Sequence, residues 1–286
     1  MATADPSLGA DEGAIEEAPT SRLPPNHTRG PLAEVGHQAI ALATTARDLY
    51  SVFVRTLFYC FRGRHEPGAI PYYCYEIGNK SVFFLTVVMG FIGMIMVYQA
   101  GLQTLRILPD LTLVGATYIE LLIRDLAASI GALMLATRVG AGIAAEIGSM
   151  VVTEQIDALR MSAADPIDYL IKPRFIASII MTTALIIWSA AVSTLTGMLT
   201  AWVMFDLNPN TFLNLSMVDA SDLGTGLTKC VAYGAAIPIV SGQAGLSTFG
   251  GSEGVGTATT RAVVNSSLAV IILNLIISAT SFALFG

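Results

Sequence analysis

Residues 81–105 carry no charge, and the stretch VFFLTVVMGFIGMIMVY within them is almost wholly apolar. Three further stretches, 175–205, 230–252 and 262–286, are equally free of charge. A helix crosses the hydrocarbon core of a bilayer with about 20 apolar residues, so each stretch predicts a transmembrane helix. A fifth, 112–147, is apolar but interrupted by Glu120, Arg124, Asp125, Arg138 and Glu146. It reads either as a long helix with a charged cluster toward one end or as a partly re-entrant segment. Taken as a helix, it makes about five spans in an all-α integral membrane fold.

Before the first span the pattern changes twice. Residues 1–33 hold five acids ahead of the first basic residue, Arg22, with Pro, Gly, Ser and Thr throughout. They lack the basic and apolar regions of a secretory signal and predict a disordered acidic tail. In 34–64, Val35, Ala39, Leu42, Ala46, Leu49, Val52, Phe53 and Leu57 recur at helical spacing, with Glu34, Arg47, Asp48 and Arg55 between them. That is an amphipathic helix, lying in the membrane interface or packed on another protein domain.

Composition narrows the class. Of 286 residues, 53% are hydrophobic and 13% charged, against roughly 25% charged in a soluble domain. A soluble globule is thereby excluded. A net charge of -6 argues against nucleic acid as a partner. Three cysteines, Cys60, Cys74 and Cys230, are too few and too odd for a disulfide framework. Basic residues gather before the first span (Arg55, Arg62, Arg64, Lys80), between the second and third (Arg160, Lys172, Arg174) and at Arg261, while 206–228 has none. The positive-inside rule then predicts a cytoplasmic N-terminus.

The connection 146–174 has its own pattern. Val152, Ile156 and Leu159 share one helical face, with Glu154, Asp157 and Arg160 elsewhere, which predicts a short amphipathic helix over 150–162. Asp165-Pro166 then opens another helical turn, with Asp165 as N-cap and Asp168 near the N3 amide. The short helix serves either as a docking piece for a soluble partner or as a connector on the lipid surface.

The run GAGIAAEIGSMVVTEQIDALRMSAADPIDYLIKPRFIA (140–177) closely resembles the MlaE/YrbE permease family, the membrane subunits of MCE-type ABC transporters. EGVGTATTRAVV (253–264) and Arg124-Asp125-Leu126 agree with that family, which usually has Arg-Glu-Leu at the latter place and Gly-Pro where this chain has Ala127-Ala128. The resemblance covers roughly residue 34 to the C-terminus. It implies an interfacial helix followed by five spans, working as a homodimer in a cell inner membrane. It implies that a cytoplasmic ABC ATPase docks on the helix containing Glu154, Gln155, Ile156, Asp157, Ala158, Leu159 and Arg160. It further implies an MCE-domain protein on the periplasmic side, a small STAS-domain protein at the ATPase, and a phospholipid or another hydrophobic lipid as cargo.

The residues can be read against that expectation. No P-loop is present, since Gly78-Asn79-Lys80-Ser81 lacks the glycine beside the lysine; no cofactor of the chain's own is expected, ATP belonging to the partner. No span contains histidine and no metal spacing exists, so neither a catalytic triad nor a metal site is expected. Gly140, Ala144 and Gly148 form a small-residue ridge for helix packing, within one protomer or across a dimer. Arg124, with Asp125 and Glu120, is the candidate lipid site: a guanidinium takes a phosphate by charge-assisted hydrogen bonds. The alternative is a local Glu120–Arg124 pair. Met94 and Met96 suit varied acyl chains or simply face lipid, and Gln99 and Gln103 line a cavity mouth or meet water. Two other functions stay open: a non-transporting scaffold, and an intramembrane lipid-modifying enzyme.

Overall fold

The computed structural model describes residues 31–62, 68–107 and 111–285. The acidic tail up to residue 30 lies outside them, as do His27, Arg64 and His65. Every element is helical among the described residues. Helix α1 runs Pro31–Arg62 and α2 Ala69–Ile107. The third, α3, runs continuously over 112–152, with two π-helical turns, Leu122–Leu126 and Ala136–Gly140, set into it. Short α4 is Gln155–Met161, and a π-turn Ile167–Ile171 leads into α5, Lys172–Phe205. A four-residue turn, α6 (Pro209–Phe212), precedes α7, Ala220–Leu246, and α8, Gly251–Phe285.

Four helical stretches are long and apolar enough to cross a membrane. The interrupted stretch is one long helix over 112–152, and it is not among those four. Each of the four begins before its charge-free stretch, although α7 stops short of residue 252. At 1.5 Å per residue, the 39 residues of α2 reach about 58 Å, against a hydrocarbon core of about 30 Å. Charge marks where hydrocarbon ends, not where the helix ends. The fourth span shows this most clearly, because α7 begins ten residues before the expected 230 and carries Asp222 and Lys229 inside it.

Two compact units divide at Thr45, within α1. In the larger unit, α1 buries only Val52 and Thr56, while Tyr50, Phe53, Val54, Leu57, Phe58 and Phe61 stay exposed. An apolar face of that size left uncovered fits a lipid interface. Large exposed apolar residues likewise run along α2 (Phe83, Phe91, Ile95), α5 (Ile187, Leu195, Trp202) and α8 (Leu268, Ile272, Leu275).

Small residues at four-residue spacing let the spans approach. On α5 the buried row is Ser189, Ser193, Gly197 and Ala201; on α7 it is Gly226, Cys230, Gly234, Pro238 and Gly242. In lipid the hydrophobic effect does not drive helices together, so close backbone packing and interhelical hydrogen bonds do. Those bonds join Tyr118 Oη to Ser193 Oγ (2.8 Å), Trp188 Nε1 to Thr86 Oγ1 (2.9 Å) and Ser241 Oγ to Ser266 Oγ (3.1 Å). The ridge of α3 packs within the protomer: a Cβ on Gly140 would come 2.9 Å from Ser241 Oγ, and one on Gly148 2.7 Å from Thr248 Oγ1.

The α2–α5 seam gives a test. A Cβ on Gly93 would sit 2.4 Å from the Ser193 carbonyl oxygen, which cannot move without the helix, whereas one on Gly224 meets nothing within 4 Å. Gly93→Ala should cost about 1–3 kcal/mol by overpacking, read as a lower thermal midpoint in detergent, while Gly224→Ala should leave the midpoint level or higher.

Candidate functional site: a buried charge cluster and the α4 connection

Toward the α6 end, the first π-turn of α3 faces the start of α7. Lys229 Nζ donates to Asp125 Oδ1 at 2.5 Å, and Ser129 Oγ donates to the same oxygen at 3.0 Å. Arg124 Nη1 lies 3.6 Å from Asp222 Oδ1. The Lys229 side chain is 1% exposed and Asp222 8%, while Arg124 and Asp125 keep 43% and 37%. Two charges are therefore enclosed and their partners half open. Asp222 has a second task, accepting from the Asp219 amide at 3.1 Å in the first turn of α7, where negative charge also suits the helix dipole. The hydroxyl of Tyr233, one turn beyond Lys229, is buried without a hydrogen-bond partner among the described residues. Close approach is possible because Gly226 has no side chain: a Cβ there would sit 2.4 Å from the Ile123 carbonyl oxygen.

The local Glu120–Arg124 pair does not form. A π-turn takes more residues per revolution than an α-helix, so Leu122–Leu126 moves Arg124 off the line of Glu120, which enters no ion pair among the described residues. Gln99 and Gln103 stand exposed on α2; Met94 and Met96 are half-buried, Met96 against the core. None of these four joins the charged cluster through a hydrogen bond or ion pair. Asp222 and Lys229 were missed because a rule that reads each charge as a boundary placed them outside the spans. The signal that could have found them is their seven-residue spacing, which puts both on one helical face.

At the other end of the bundle, α3 stops at Val152 and Glu154 adopts a left-handed conformation (φ 59°) ahead of α4. The break divides the expected 150–162 helix, so Val152 turns outward and is 37% exposed. Within α4, Ile156 is buried and Leu159 half-buried, while Glu154, Gln155, Asp157, Ala158 and Arg160 face outward and Met161 is 85% exposed. Asp157 and Arg160 form an exposed pair at 3.2 Å, a kind that stabilises little. Ala163 is also left-handed (φ 59°). Non-glycine residues in this region carry strain of order 1 kcal/mol each.

Asp165 ties this connection to α1. Its Oδ2 accepts from Arg55 Nη2 at 2.5 Å and from Tyr59 Oη at 2.8 Å, and its Oδ1 accepts from the Ile167 amide at 3.0 Å. Asp168 pairs with Lys172 instead of serving an N3 amide. Burial pushes the Asp165 carboxyl up, but the Ile167 amide, the Tyr59 hydroxyl and the Arg55 guanidinium outweigh it and hold it below its ordinary value. Arg174, expected as a loop anchor, is 1% exposed, with Glu146 Oε1 at 2.6 Å and the Tyr73 ring centroid 4.6 Å away.

Four helices long and apolar enough to cross a membrane define a multi-pass membrane protein. The family described as Permease MlaE matches residues 70–280. Similar proteins include a probable ABC transporter permease protein of Synechocystis sp., 38% identical over 72% of this chain and 79% of its own. One from Rickettsia bellii is 36% identical over 72% and 80%. The Arabidopsis thaliana chloroplastic protein TRIGALACTOSYLDIACYLGLYCEROL 1 is 33% identical over 72% and 59%. The chain belongs to the MlaE family of ABC transporter permeases.

Two outcomes test this geometry. Asp125→Leu strands a buried ammonium and should cost about 3 kcal/mol, whereas Lys229→Met leaves a carboxylate that is partly open and still bonded to Ser129. The first should therefore lower the thermal midpoint more than the second, and the double variant should recover most of the loss. For Asp165, a depressed carboxyl stabilises the fold above its unfolded value and loses that contribution as pH falls through the native one. The midpoint gap between the protein and Asp165→Asn should be largest near neutral pH and close as acid protonates Asp165.

Proposed function

We propose that the chain moves a phospholipid or another hydrophobic lipid between the inner membrane and the cell envelope, as the permease half of a transporter whose ATP site lies on a separate ATPase. The observation that carries this is the Arg124–Asp125–Asp222–Lys229 cluster. Ionisable residues within a membrane span are costly and tend to mark a pathway. Lys229 and Asp222 balance charge inside the bundle, which leaves the half-open Arg124 guanidinium as the group able to accept a headgroup phosphate. At the same end of α7 a mostly apolar groove of about 500 Å³ runs between α7 and α8, past Gly224, Thr228, Ile276 and Leu284, and suits an acyl chain. The name of the chloroplastic relative contains that of a glycerolipid, which agrees with lipid cargo.

In this reading the ATPase docks on the outward face of α4, and the excess of basic residues at that end favours a cytoplasmic side for it and for the N-terminus. Two copies enclose the lipid path, an MCE-domain protein receives or delivers the lipid on the periplasmic side, and a STAS-domain protein sits at the ATPase. The chain holds no cofactor and breaks no covalent bond. Movement of α4 reaches the spans through α3 and α5, and reaches α1 through Asp165.

The test is a pair of variants in the assembled transporter. Glu154→Lys with Asp157→Lys should abolish most ATPase co-purification while membrane insertion is unchanged. Arg124→Ala should leave the complex intact and reduce labelled-lipid transfer at least about tenfold, the loss of one charged contact. Full transfer by Arg124→Ala would instead favour a scaffold.

A further inference from the structure

The second π-turn of α3, Ala136–Gly140, carries another charged residue, Arg138. It borders a cleft of about 570 Å³ against the first third of α2. Three cations and two acids line that cleft: Lys80, Arg138 and Arg174, with Glu76 and Glu146. Both acids are already matched, Glu76 to Lys80 at 2.5 Å and Glu146 to Arg174 at 2.6 Å. Arg138 enters no ion pair among the described residues, and it lines the same cleft as Lys80. The Arg174 Nε is buried at the back of the cleft with no partner among the described residues. The cleft is thus short of one negative charge.

Its depth identifies the source of that charge. Lys80 is the last charged residue before the apolar stretch 81–105, which puts the cleft at the headgroup level of the α4-side leaflet. Along α3, Arg138 lies 14 residues from Arg124, about 21 Å at 1.5 Å per residue and less than the roughly 30 Å of hydrocarbon. π-turns break helical register and recur at functional sites. Here each of the two within α3 presents a cation, one near either leaflet.

We propose that the Arg138 cleft is a second phosphate site, which holds the phosphodiester of a phospholipid in the cytoplasmic leaflet between the Arg138 guanidinium and the Lys80 ammonium. Glu76 and Glu146 keep the two flanking cations in place, and Arg138 supplies the uncompensated charge. The inference rests on the lipid-permease reading for its ligand, but its test does not require transport.

The full chain, with Trp188→Phe, Trp202→Phe and Tyr72→Trp as a reporter on the cleft wall, is titrated in detergent with dihexanoylphosphatidylglycerol. Saturable change in Trp fluorescence is expected. Arg138→Gln should raise the half-saturation point about tenfold, the scale of one charged hydrogen bond, Arg138→Lys should recover part of it, and Arg106→Gln, an exposed cation at the far end of α2, should leave it unchanged. Dihexanoylglycerol, which lacks phosphate, should give no change that depends on Arg138. Equal titrations by the protein and Arg138→Gln overturn the site, and inorganic phosphate saturating at the same concentration overturns a lipid source. An Arg138-dependent titration alongside undiminished lipid transfer by Arg124→Ala would uphold the cleft while the Arg124 pathway fails.

Discussion

An ammonium group sits inside the helix bundle at Lys229, and the carboxylate of Asp125 on another helix neutralises it. Removing the carboxylate strands the ammonium in a medium that solvates it poorly, whereas removing the ammonium leaves a carboxylate that is partly open and still bonded to Ser129. The pair therefore sets the register of α7 against α3, two helices whose contacting residues are 104 positions apart in the chain. It needs backbones close together, which Gly226 permits by leaving room for the Ile123 carbonyl. Small residues supply proximity and charges supply alignment, so the seam between α3 and α7 has no room for a larger side chain at Gly226 and is most sensitive to loss of the Asp125 carboxylate. Arg124 stays half open, with Asp222 at 3.6 Å as its partner.

The same constraint recurs at the opposite end, where Arg174 is enclosed by Glu146, Tyr73 and the carbonyl of Leu170. Both sites bury cations that a hydropathy argument assigns to loops or boundaries. Each is tolerated because its partner is supplied by a different helix, and each is placed near a π-turn of α3. A charged side chain within an apolar helix has few good directions, and a change of helical pitch is one way of choosing among them.

The spans were legible in the sequence because lipid leaves a direct imprint: 81–105 must be free of charge if it is to lie in hydrocarbon. The helix ends were not, since Glu76 and Lys80 satisfy each other on the surface of α2 and the helix continues past them. The alternative pairing of Arg124 with Glu120 fails for a related reason. Four-residue spacing from Glu120 implies contact only in a regular α-helix, and the pitch changes at Leu122. The break at Glu154 left no advance sign, because glutamate has no preference for left-handed backbone. By contrast, the Asp165-Pro166 pair announced its turn correctly through local chemistry, with the aspartate accepting from the Ile167 amide, although its bonds to Arg55 and Tyr59 depend on the tertiary fold.

The two left-handed corners that bracket α4, Glu154 and Ala163, have a mechanical meaning. Glycine there would make slack joints, and a load applied to the helix would be dissipated in the linkers. Residues with a Cβ narrow the range of backbone angles at both corners, so α4 behaves as a short crank held in stiff bearings. On the proposed reading, a push on its outer surface would be delivered as torque to the ends of α3 and α5.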